Sequence, residues 1–218
     1  MMCDACGRLH HLMSEGERFN FSTGWDNIPS DYNGIYVMFE KGEFAHGGDR
    51  IVRIGTHKGD KRLKIRIRQH FEKKKKNSSI FRKNIGLCFL NRDNDTYLEI
   101  WNLDTKTKEK QEFYSHFIDK EFEVEIENKV SKYIQENISF CLLEVPTENE
   151  RKCYEARMIG TVFRCLDCEA SKGWFGLNST KKKIREKGLW QERELNSEIL
   201  TEEELDAISS MIMRRKRV

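Results

Sequence analysis

The chain has 218 residues, 38% of them hydrophobic and 34% charged, with only two prolines. This composition excludes a disordered or low-complexity chain, and no apolar run approaches the roughly 20 residues that span a bilayer. The net charge of +3 conceals a segregation: residues 50–84 carry fourteen Lys or Arg against Asp60 and Glu72, whereas 119–127 carry five acids against Lys120. So dense a basic segment is expected to face a polyanion, and a phosphate backbone asks for positive charge without a sequence code. The plainer alternative, a solvated helix face, suits Lys73 to Lys76 taken alone.

The N-terminus opens Met-Met-Cys-Asp-Ala-Cys, without a basic region and an apolar stretch, so no secretory signal is read and a reducing cytoplasm is the expected compartment. Seven cysteines, an odd number, fit that expectation. Cys88, Cys141 and Cys153 lie in apolar stretches and read as buried structural thiols. Cys3 with Cys6, and Cys165 with Cys168, form two C-x-x-C pairs. That is the ligand spacing of a structural zinc site, with His10 and His11 as alternatives to the second pair and unligated thiols as the competing reading.

Residues 33–40 (NGIYVMFE) and 50–57 (RIVRIGTH) combine β-branched, aromatic and aliphatic side chains in short runs and read as strands. The glycine-rich 41–49 between them predicts a hairpin with a long tip. From Lys61 onward, Leu63, Ile67 and His70 or Phe71 recur at helical spacing, and Arg66 and His70, four apart, project from the same surface one turn from each other. A short helix is expected over 79–83 and a strand over 97–103 (YLEIWNL). The alternation E-F-E-V-E-I-E at 121–127 fits a half-buried strand or the start of a following helix. Residues 138–145 (ISFCLLEV) form the clearest later strand, and Thr147 to Glu150 matches the capping box of a helix reaching about Arg164. On it Glu155 stands among apolar residues, with Arg151 as its one cationic neighbour. A second capping box, Thr201 with Glu204, starts a last helix, and the basic 214–217 tail reads as a solvated end.

Gly34-Ile35-Tyr36 on one strand, Arg53-Ile54-Gly55 on the next, the Arg66 and His70 helix, and a strand followed by a capped helix bearing Glu155 together resemble the GIY-YIG nuclease superfamily. The resemblance covers about 33–71 and 138–178. It implies an α/β fold, a small mixed or antiparallel central sheet flanked by helices. The whole of 1–218 is then a single domain, with an insertion at about 80–137 and a C-terminal helical extension. It also implies a divalent-metal-dependent endonuclease acting on DNA, in restriction and defence or in repair, with no membrane partner and a homodimer as one way to break a duplex. By the same resemblance, Tyr36 holds or deprotonates the attacking water, Arg66 neutralises the phosphate, and Glu155 binds magnesium or manganese. His70 accepts a hydrogen bond from Tyr36. Asn178 corresponds to the asparagine that closes the site, although an Asx turn or helix cap explains it equally well. Arg53 stands where the family usually has its second tyrosine; a guanidinium cannot act as a phenol and is expected to hold phosphate.

Each of these residues has a structural alternative. Tyr36 suits a core tyrosine, Arg66 a solvated charge, Glu155 a partner for Arg151, and His57 either a pocket or a loop. The competing functions are a nucleic-acid-binding protein with a degenerate site and a zinc-stabilised interaction module.

Overall fold

The computed structural model describes the backbone of residues 2–20 and 25–215, with side chains over 4–20 and 25–213. The side chains of Cys3 and of the basic 214–217 tail lie outside the described residues. Three strands, β1 (Gly34–Ala45), β2 (Gly48–Thr56) and β3 (Ile138–Glu144), form an antiparallel sheet in the order β2-β1-β3. The helices in chain order are α1 (Met2–Ser14), α2 (Leu63–Phe71), α3 (Ile80–Arg92), α4 (Leu98–Asn102), α5 (Lys108–Tyr114), α6 (Lys120–Asn137), α7 (Glu148–Arg164), α8 (Lys182–Lys187) and α9 (Glu202–Arg215). Among the described residues no helix is long and apolar enough to cross a membrane.

The β1–β2 hairpin is longer than its sequence suggests and its tip shorter. β1 continues to Ala45, and only His46 and Gly47 turn the chain, both at positive φ (51° and 78°). Two positive φ values in a two-residue turn match the right-handed twist of the flanking strands. Irregular register takes up the extra residues. Met38 faces Arg53 while Phe39 faces Ile51, leaving Val52 as a bulge residue. Val52 and Arg53 therefore both enter the layer that holds Tyr36, whereas Ile51 and Ile54 enter the other.

Strand alternation divides the core in two. Ile35, Val37, Phe39, Cys141 and Leu143 pack against α1, α7 and α9. Tyr36, Met38, Phe140 and Leu142 pack against α2, α3 and α6. The α1 helix has no counterpart in the sequence reading.

The segment between β2 and β3 is helical throughout its regular parts, which corrects the expected strand at 97–103. No sheet edge receives those residues. Trp101 is instead driven into α3, where it lies against Gly86 so closely that a Cβ there would stand 2.5 Å from the indole, and its Nε1 donates to the Lys83 carbonyl at 3.0 Å. The 121–127 alternation belongs to the first two turns of α6. The Asp119 carboxylate caps that helix by accepting from the Phe122 amide at 3.0 Å, and Ile126, Val130 and Ile134 form its buried stripe. The expected 79–83 helix extends to Arg92. Both capping boxes form: Thr147 Oγ1 accepts from the Glu150 amide and Thr201 Oγ1 from the Glu204 amide, each at 3.3 Å. Cys153 corrects another expectation, being exposed on α7, whose buried residues are Arg151 and the 158–162 stretch.

Candidate active site

Leu63, Ile67, His70 and Phe71 form the buried face of α2, so its three-four spacing carries an imidazole into the core along with the apolar residues. There the Tyr36 hydroxyl and His70 Nε2 share a hydrogen bond of 2.8 Å, and His70 Nδ1 shares one of 2.7 Å with Ser79 Oγ. Ser79 is the N-cap of α3 and accepts from the Arg82 amide at 3.3 Å. The ring of Tyr36 lies over Gly55; a Cβ at position 55 would overlap its hydroxyl, which is why glycine fits there. Burial, and then the positive charges of Arg66, Arg53 and Arg82, hold the His70 pKa well below its usual value of 6.5. The imidazole is therefore neutral at neutral pH, with one nitrogen donating and the other accepting.

Beside this pair lies a cleft of about 870 Å³ whose lining includes Arg53, Arg66, Glu155, Thr56, His57 and Gln191. Tyr36 and His70 are buried behind its wall and do not line it. Arg66 Nη1 donates to Gln69 Oε1 at 2.8 Å and to the Ser78 carbonyl at 2.9 Å, which aims the guanidinium along the α2 flank. Arg53 donates to the Trp190 carbonyl and lies over the Phe81 ring at 5.3 Å, while its buried Nε has no partner.

β2 is an edge strand, and its outward polar groups are met by other elements. Val52 accepts from the Trp190 amide at 2.8 Å, and the Thr56 amide donates to Glu155 Oε1 at 3.2 Å. Glu155 thus reaches the end of the edge strand from α7. Among the described residues it enters no ion pair. Arg151, its one expected partner, donates instead to the carbonyls of Pro146 at 2.6 Å, Gly59 at 2.7 Å and Val145 at 3.3 Å. Burial raises the Glu155 pKa, against the lowering effects of Arg53, the Thr56 amide and Arg66. A carboxylate so situated lacks a full counter-charge, and the site suits a bound cation.

Tyr36, Arg53, Arg66, His70 and Glu155 consequently share one neighbourhood. Asn178 does not join them: it ends a short 3-10 turn (Phe175–Asn178), where its Nδ2 donates to the Phe175 carbonyl at 3.0 Å and its own carbonyl accepts from Asn91. It is absent from the cleft lining. His57 lines the cleft and accepts from the Gly34 amide at 3.3 Å; burial, then Arg151, lowers its pKa. Gln191, unmarked by any motif, is buried in the same wall with an unpartnered Oε1. Its only signal in the sequence is the adjacent Trp190, which anchors that segment in the core.

The basic 50–84 segment is less uniform than its composition suggests. Arg50 is paired with Glu43, Arg82 with Glu127, Arg68 with Glu72 and Lys76 with Glu123, and Arg50, Lys76 and Arg82 are buried. A buried cation needs a partner, so these residues are structural. Outside those pairs the segment gives the cleft Arg53, Lys58, Arg62, Arg66 and Lys83, joined by Lys106, Arg193 and Lys152, the last paired with Glu148.

The family model of the GIY-YIG domain matches residues 3–218. No curated protein and no solved structure matches the chain. With the family model spanning almost its whole length, and with the antiparallel sheet and its flanking helices in place, the chain belongs to the GIY-YIG domain family.

Proposed function

We propose that the cleft is the active site of a divalent-metal-dependent endonuclease that hydrolyses phosphodiester bonds in DNA, in restriction and defence or in repair, within the cytoplasm. Family membership supports nuclease-type chemistry in general. The observation that carries the specific reading is the convergence of Arg53, Arg66 and Glu155 on one cleft, backed by the hydrogen-bonded Tyr36–His70 pair.

Hydrolysis requires an oriented water, help in removing its proton, and positive charge around the phosphorus. In the tautomer with its proton on Nδ1, His70 donates to Ser79 Oγ and accepts the Tyr36 phenol proton at Nε2. For the Tyr36 oxygen to take a proton from the attacking water, the wall beside Gly55 must open far enough to admit that water on substrate binding. Neutrality of His70 is what permits this, since an imidazolium has no acceptor nitrogen. Arg66 and Arg53 hold the phosphate oxygens, and the fixed charge of Arg53 supplies electrostatic stabilisation in place of a second phenol. Gln191, with a spare acceptor, orients a water or a sugar hydroxyl; Asn178 is left outside this constellation.

A single carboxylate completed by waters and phosphate oxygens is a donor set that fits magnesium or manganese, and Glu155 in the cleft lining would hold one. When bound, such an ion stabilises negative charge on the leaving oxygen.

We read 80–137 as an insertion in a single domain, extending the cleft wall through Lys83, Asp104 and Lys106, and the last helices as a C-terminal extension. One site per chain breaks a duplex by acting twice or as a homodimer.

The test is incubation of the purified protein with supercoiled plasmid and magnesium. Nicking that disappears in Glu155→Ala and Arg66→Ala supports the assignment, and cleavage surviving both substitutions overturns it. Salt-sensitive DNA binding without cleavage in the unmodified protein supports a binding protein whose site Arg53 has altered.

A further inference from the structure

Three stretches far apart in the chain bring thiols and imidazoles together, sharing no residue with the cleft. α1 contributes Cys6 and His10, the β1–β2 turn His46, and the segment after α7 Cys165 and Cys168. Ligand atoms of Cys6, His10, His46 and Cys168 all lie within 4.8 Å of one another. Cys165 Sγ stands 3.5 Å from His46 Nε2, and the Cys6 thiol is in hydrogen-bond contact with both Cys168 and Cys165. All three cysteines are buried. Apolar packing alone does not require three thiols to meet imidazoles at one point.

A tetrahedral zinc ion accepts four ligands, and five groups compete. His10 is already committed. Its Nε2 accepts from the Ile51 amide at 3.1 Å, an outward group of the edge strand, and its Nδ1 faces the Cys6 carbonyl one helical turn back at 2.9 Å. The two sulfurs near it approach different nitrogens, Cys6 at Nδ1 and Cys168 at Nε2, each at 3.6 Å, so no single lone pair of His10 faces both. His46 carries no such commitment to the edge strand. With Zn–S near 2.3 Å and Zn–N near 2.0 Å, adjacent S and N ligands of a tetrahedral site stand about 3.5 Å apart, and the Cys165–His46 separation agrees.

The geometry points to a structural zinc ion held by the thiolates of Cys6, Cys165 and Cys168 and the imidazole of His46, with His10 bracing Cys6 against β2. Three thiols release their protons to solvent on binding. The ion ties α1 and the segment after α7 to the hairpin tip. A buried polar link fastens the same segment nearby: Ser171 N donates to Glu43 Oε2 at 3.1 Å, and Arg50 Nε to the same oxygen at 2.9 Å. Both C-x-x-C pairs of the sequence reading contribute to this set, Cys6 from the first and Cys165 with Cys168 from the second. His11 is exposed and paired with Glu15, and Cys3 lies outside the described side chains.

The test is metal analysis of the full chain, expressed with zinc and purified without a histidine tag, so its outcome is independent of any cleavage assay. About one zinc per chain is expected. Content should fall at least tenfold in Cys165→Ser, Cys168→Ser and His46→Ala, and stay unchanged in His10→Gln. Cobalt exchange into the unmodified chain needs no variant to fold, and should give the intense absorption of tetrahedral cobalt thiolate. A metal-free chain without that absorption, a Cys6–Cys168 disulfide, or full zinc content in His46→Ala overturns the assignment.

Discussion

Ile35, Val37 and Phe39 turn to one side of β1 and Tyr36 and Met38 to the other, and the two layers they enter differ in kind. The layer under α1, α7 and α9 takes aliphatic and aromatic side chains from the sheet and holds polar groups mainly at its margin, by the hairpin tip. The layer under α2, α3 and α6 buries a phenol, an imidazole, a capping serine and the Arg82–Glu127 pair among its aromatic rings. Arg82 donates to Glu127 through Nε at 2.9 Å, and also to the His70 carbonyl at 3.1 Å and Ser131 Oγ at 2.7 Å. Apolar packing can fill a volume in several ways, whereas a buried hydrogen-bond network accepts only arrangements in which its members are satisfied. The polar layer thus fixes His70, and through it Tyr36, while the apolar layer supplies cohesion. Glu155 is the exception. It rides on α7, a helix of the apolar layer, and reaches the end of β2 where the two layers meet.

Substitutions on the two sides should separate these roles. Glu155→Ala is expected to lower the rate of DNA cleavage on the order of a thousandfold, since it removes the carboxylate assigned to the metal. Its thermal stability should change little, because the half-buried Glu155 enters no ion pair among the described residues and gives up one hydrogen bond, from the Thr56 amide. A large melting loss would mark Glu155 as structural. Arg82→Met leaves Glu127 uncompensated in the polar layer and should cost about 3–5 kcal/mol in denaturant unfolding. Adding Glu127→Leu to it should recover most of that loss, and failure to do so would put the energy elsewhere in the network. On the apolar side, Leu205→Ala at a fully buried position should cost about 2–5 kcal/mol through cavity formation, with cleavage per folded molecule unchanged.

A smaller effect concerns pH. His70 is held neutral in the folded chain, its pKa below the unfolded value of 6.5. The unfolded chain therefore takes up the proton first as the medium is acidified. This contribution to stability is complete above about pH 6.5 and is lost progressively as pH falls below it. His70→Gln should flatten the melting temperature against pH in that window, and an unchanged slope would show that another group titrates there. The smallest effect is expected at Asn178. Replacing it with alanine removes one hydrogen bond within a turn, should cost about 1 kcal/mol, and should leave cleavage within about twofold. A loss comparable to that of Glu155→Ala would return Asn178 to the site.

Much of this arrangement was legible in the chain because it depends on local periodicity. The 33–40 run marked the strand that carries Tyr36, three-four spacing put Arg66 and His70 on one helix surface, and Thr147 and Thr201 announced their helices through residues three positions on. One local pattern misled and another left two readings open. The 97–103 run has strand composition, yet Trp101 gains more by filling the space that Gly86 leaves on α3. The 121–127 alternation was resolved by the Asp119 cap, which commits the backbone to a helix.

What only tertiary structure decided is the meeting of groups from separate elements. Nothing near Glu155 in the chain reveals that Arg151 turns to backbone carbonyls and leaves the carboxylate to the Thr56 amide. Gln191 enters the cleft because Trp190 anchors its segment to the edge of β2. His46 nears Cys165 because the hairpin closes in two residues. Local order follows from forces acting within a turn or along a strand, and a single sequence records them directly. Convergence depends on which unpaired edge groups and buried charges find partners across the whole fold, and that is settled only when every layer is packed.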